Sequence, residues 1–172
     1  MAEHRLDSDR LHAWCQEVSR RVDRLMESFE ETHGYPVGDN AVAPVDDDTL
    51  GAVALLAAHR PAPEPLLSLY AVLDSVSLPD VGNGYFIHSP STVIAQLDEY
   101  GTVALTGGGH GIVFGSDGGG LFAVGDDGSV HRSGTASWSG EFHAVAAGLE
   151  GFLEELLRAI EQFTATGHPG RL

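Results

Sequence analysis

At 172 residues the chain is long enough to bury one substantial core, and its 42% hydrophobic content argues against wholesale disorder. Its formal charge is −16 and all nine basic residues are arginine, so neither nucleic-acid phosphates nor anionic membranes are expected partners. One cysteine, Cys15, excludes an internal disulfide framework, and no apolar run approaches the ~20 residues that cross a bilayer.

Met1 to Arg10 mixes acids and bases with no apolar h-region, so no secretory signal is expected and the cytoplasm is the expected location. Ser8 to His33 predicts a long amphipathic helix. Leu11, Trp14, Cys15, Val18, Val22, Leu25, Met26 and Phe29 recur there at steps of three and four. Asp7 or Ser8 caps its start, and Gly34 followed by Pro36 stops it. Tyr35 to Pro44 is expected to be a loop. Asp46-Asp47-Asp48 then forms the acidic start of a second helix running to about His59. Consecutive carboxylates point in different directions, so capping explains them better than metal binding.

Arg60-Pro61-Ala62-Pro63 predicts a stiff break, followed by a third helix from Glu64 with Leu66, Leu67, Leu69, Tyr70 and Leu73 on its buried side. Tyr85 to His88 is a short apolar strand. Ser91 can cap a helix through Leu97, although Thr92, Val93 and Ile94 are β-branched and leave a strand open. A further strand is expected over Thr102 to Thr106.

The centre is Ile112 to Val130, two short apolar strands each followed by a turn of Asp and Gly. The Asp-Gly steps suit hairpin turns that need positive φ, so an antiparallel meander is expected. Val130 to Arg132 adds a strand, and a loop and last strand occupy Trp138 to Ala146. Leu149 to Phe163 predicts a second amphipathic helix, with a frayed tail after it. The expected fold is a single α+β domain over 1–172, with no internal repeat. It has a helical part at about 8–75, a twisted, mostly antiparallel sheet of about five or six strands at about 83–147, and a C-terminal helix at about 149–163.

Enzyme signatures fail one by one. The glycine runs lead into strand-like sequence rather than a helix, and no lysine exists to reach a phosphate. The histidines are scattered, with no pair at ligand spacing on one predicted helix. His88, His110 and His131 are the one set that the sheet could bring together. Ser116 sits in FGSDG without the first glycine of a nucleophile elbow. Asp117, Asp126 and Asp127 lack calcium-loop spacing and read as turn formers. No catalytic residue, metal or cofactor is expected.

Three segments resemble the SUKH superfamily, the cell-wall-regulator type of domain common among bacterial immunity proteins. They are Leu69 to Val76, NGYFIHS from Asn83 to Ser89, and VFGSDGGGLFAVGDDGSV from Val113. The region from Phe142 through Leu157, with Phe152-Leu153, is similar to the family's closing strand and helix. The long first helix falls outside the resemblance.

That resemblance implies an α+β fold and a role in binding and neutralising a toxin rather than in catalysis. The acidity fits a basic, nuclease-like toxin, whose phosphate groove carboxylates can occupy. The expected contact surface is the turn edge of the sheet, Asp117, Asp126 and Asp127, with Tyr85, His110 and Trp138 as anchors. The alternatives are a regulatory interaction module of the same fold, or a small-ligand site or enzyme at the Gly-rich edge. A pocket collecting His88, His110 and Asp117 would favour the last.

Overall fold

The computed structural model describes residues 6–59, 62–169 and 172. The Arg60-Pro61 part of the expected break lies outside them, as do Met1 to Arg5. The apolar stripe of the first helix builds α1 (Ser8–His33), which buries Leu11, Trp14, Val18, Val22, Leu25 and Phe29. Asp7 is its cap, accepting from the Asp9 N–H at 2.9 Å, and Gly34 ends it at φ 80°. The same periodicity near the other end builds α5 (Leu149–Thr166). It continues past Phe163 to Thr166, into residues expected to fray, and closes on Gly167.

The two helices lie side by side. The Trp14 indole N–H donates to the Leu153 carbonyl at 2.8 Å, Arg21 pairs with Glu161 at 3.0 Å, and His33 stacks on Phe163. Contacts advance in the same direction along both helices, so they run parallel.

Between them in sequence come β1 (Ala41–Pro44), α2 (Asp47–His59), α3 (Glu64–Tyr70), β2 (Leu73–Leu78), β3 (Tyr85–Ile87), α4 (Pro90–Tyr100), β4 (Val103–Ala104), β5 (His110–Asp117), β6 (Leu121–Gly125), β7 (Val130–Ser133) and β8 (Phe142–Ala146). The fold is α+β, with five helices and one antiparallel sheet of eight strands among the described residues. Strand order is β1-β2-β3-β5-β6-β7-β8, and β4 pairs with the start of β5.

The sheet is larger than expected because it recruits strands from the supposedly helical part. β1 lies where a loop was expected and pairs with β2 as an edge strand. Its register slips between Ala43 and Pro44, where proline has no N–H to give. Leu73 is fully buried as expected, but it opens β2 rather than extending α3. Segment 90–100 is helical, and Ser89 rather than Ser91 caps it, accepting from the Thr92 N–H at 3.2 Å. Proline at the first helical position favours that start.

Every residue of β6 is buried because both faces are covered. Phe122 and Val124 face the main core, where the rings of Phe114 and Phe122 both meet Phe152. Leu121 and Ala123 face a smaller cluster of Val103, Val113 and Phe142, with Leu105 and Trp138 packed against it. The last strand curls back to enclose this second core, for the Thr106 N–H donates to the Phe142 carbonyl at 2.9 Å. Among the described residues, no helix is long and apolar enough to cross a membrane.

Candidate functional site

The first glycine-rich turn is built by Asp117 at the end of β5. Its Oδ1 accepts from the Gly119 N–H at 2.9 Å and the Gly120 N–H at 2.8 Å. Arg132 of β7 reaches across and donates from Nε to Oδ2 at 2.8 Å and from Nη2 to Oδ1 at 2.9 Å. This side-on pairing is the strong geometry for arginine and carboxylate. Burial pushes the Asp117 carboxyl up, but the Arg132 guanidinium and the two N–H groups together bring it below the usual carboxylate range.

The glycines here differ from expectation. Gly115, Gly118, Gly119 and Gly120 do not occupy the left-handed region. Three of them are glycine because other atoms come too close for a side chain. A Cβ on Gly115 would meet the Phe86 carbonyl oxygen at 2.5 Å, one on Gly118 the Asn83 oxygen at 2.5 Å, and one on Gly120 the Ser133 oxygen at 2.3 Å. In the second turn, Asp127-Gly128 behaves as expected, with Gly128 at φ 83°.

Tyr85 pairs in register with Asp117 and is only 6% exposed, so it is a core residue with its polar end at the Asp117–Arg132 pair. Burial pushes its hydroxyl up, and the Asp117 charge adds to this. These residues line a cavity of about 340 Å³ with Asn83, Gly84, Pro169 and Leu172. It contains neither His88 nor His110.

Asp126, Asp127 and His110 lie at the opposite end of the sheet. β5 separates His110 from Asp117 by seven residues, roughly 23 Å. Gly111 pairs with Gly125, so His110 and Asp126 leave the sheet side by side, both exposed. The Asp127 carboxylate accepts from the hydroxyl and N–H of Ser129, and these bonds hold it low. With the Ser129 hydrogen given to Asp127, the Ser129 oxygen accepts from His131 Nε2 at 2.8 Å. The buried Nδ1 of His131 has no hydrogen-bond partner among the described residues.

Trp138 stands in a third place, half-buried, with its ring 4.7 Å from that of Tyr100. Tyr100 is 53% exposed. The six expected contact residues therefore fall into three groups, not one edge.

One constellation escaped the sequence reading. His88 Nδ1 lies 3.1 Å from Gln96 Oε1, and its Nε2 lies 3.4 Å from the Ser116 hydroxyl. Gln96 accepts from Nδ1–H, which leaves Nε2 facing Ser116, and burial keeps the imidazole neutral by lowering its pKa. A neutral imidazole beside a hydroxyl is the raw material of a nucleophile and base. Here, however, Ser116 is held in mid-sheet between Phe86 and Leu121, and the His88 carbonyl takes the Tyr70 hydroxyl at 2.6 Å. The set ties β3, α4 and β5 together. In the sequence His88 and Ser116 stand twenty-eight residues apart, and neither alone signals the pairing. Among the described residues, no three His, Cys, Asp or Glu side chains are placed to hold a metal.

Asp117→Asn is expected to lower stability by about 2 kcal/mol at neutral pH, because charge-assisted bonds to a largely covered carboxylate are lost. The folded carboxyl titrates below its unfolded value of about 3.9. Its contribution is therefore complete above that value and is lost as the pH falls through the lowered one. Urea titrations at several pH values should show a flatter acid limb for the variant.

No protein-family model matches the chain, and no curated protein matches it in sequence.

Proposed function

We propose that this is a non-catalytic, cytoplasmic immunity-type protein of the SUKH kind, which binds and neutralises a basic, nuclease-like toxin. The observation that carries the reading is charge. The chain has 25 acidic residues against nine arginines, and Arg10, Arg20, Arg21, Arg132 and Arg158 are already engaged with carboxylates. What remains for a partner is an acidic field that steers cations and repels phosphates.

Affinity needs anchors as well as field. Tyr100, packed at a tilt against Trp138 and next in sequence to Glu99, is an aromatic group of this kind. The turn carboxylates Asp117 and Asp127 instead spend their oxygens inside the protein.

The test is co-elution with the product of the neighbouring gene at low and high salt. A complex at low salt that weakens at high salt is expected. Tyr100→Ala should weaken it about tenfold without altering the thermal midpoint. No complex at either salt would remove the reading.

A further inference from the structure

Helix α2 is apolar on both sides. Thr49, Ala52 and Leu56 turn inward and are buried. Leu50, Gly51, Ala54, Leu55, Ala57 and Ala58 turn outward and are exposed, Leu50 by 55% and Leu55 by 63%. No charged side chain interrupts the helix from Thr49 to Ala58. Helices without a polar face ordinarily lie inside a core, whereas α2 packs on α3 and α4 and leaves this side open among the described residues.

We propose that the outer face of α2 docks the apolar side of a basic amphipathic helix from a partner protein. Charge identifies the occupant. Asp47 and Asp48 are exposed at the start of α2, Glu99 is exposed on the adjoining α4, and neither helix carries a lysine or arginine. An apolar strip with an acidic surround fits an apolar strip with a basic surround. A second copy would instead bring two acidic surrounds together, each on a body of charge −16.

Shape agrees with charge. Leu50, Ala54 and Ala58 form one four-residue ridge and Gly51 and Leu55 another, and the small residues between the leucines let a second helix approach closely. The proposal rests on the reading that this protein works by binding a basic protein, and it holds whether or not that protein is a toxin.

The test uses the full chain and a fluorescent synthetic helix of about 18 residues, with leucines on one side and arginines on the other. A scrambled peptide of the same composition serves as control. The helix should bind the wild type, and Leu50→Gln/Leu55→Gln should weaken binding about tenfold or more while circular dichroism and thermal midpoint stay unchanged. The scrambled peptide should bind as weakly as that variant does.

Equal binding to the double variant would overturn the proposal, as would no binding at all. A wild-type dimer in sedimentation that the double variant dissolves would also overturn it, by assigning the face to a second copy. Retained binding of the neighbouring gene's product by the double variant would discard this face and leave the toxin reading standing.

Discussion

Phe152→Ala is expected to lower stability by about 4 kcal/mol and the thermal midpoint by about 10 °C or more. Phe152 is 1% exposed and is the point where α5 meets the sheet. Its ring lies 4.9 Å from that of Phe122 and 5.6 Å from that of Phe114, both near edge-to-face. Truncation removes the transfer energy of the ring, leaves a cavity that two strand residues cannot fill, and forfeits both aromatic contacts. Since a domain of this size is held by about 5–15 kcal/mol, urea denaturation should show much of its margin gone. A loss below about 1.5 kcal/mol would mean that the core relaxes around the gap or that α5 is seated differently.

Gly120→Ala comes next, at about 3 kcal/mol, and it has a built-in control. The new methyl group would lie 2.3 Å from the Ser133 carbonyl oxygen and 3.0 Å from the Arg132 guanidinium carbon. Backbone cannot move aside as a side-chain tip can, and any shift of Arg132 also disturbs its bond to Asp117. The adjacent Gly119→Ala meets nothing closer than 3.6 Å and should change stability by less than about 1 kcal/mol. Thermal melts of the pair decide the matter. Equal effects would show that the glycines serve turn flexibility, not close approach.

The contrast bears on what the amino-acid order reveals. α1 and α5 were legible because each repeats a helical period that burial imposes, and the central strands because their apolar runs are bounded by Asp and Gly turns. β1 was not, since Ala41–Pro44 is four residues bounded by turn formers and becomes a strand only by pairing with β2. β2 was hidden for the opposite reason. Leu66 through Leu73 keep a helical spacing, and nothing local says that α3 stops at Tyr70.

The candidate site divides the same way. Asp117 and Asp127 could be read as turn formers because their N–H partners lie within three residues. Arg132 lies fifteen residues from Asp117, and Ser116 lies twenty-eight from His88, so both partnerships depend on strand order. The outward leucines of α2 carry no surface signal in the sequence, since apolar content does not say which side faces water.

The parallel pairing of α1 and α5 has a consequence for how the protein is made. The Trp14–Leu153 bond spans 139 residues, and α1 also meets α5 through the His33–Phe163 stack, so part of its apolar side waits for α5. On the ribosome α1 is therefore obliged to sit half-uncovered until the strands between it and α5, and α5 itself, have emerged. Release before residue 149 would leave that side exposed and prone to clump, which makes α5 the latch of this fold.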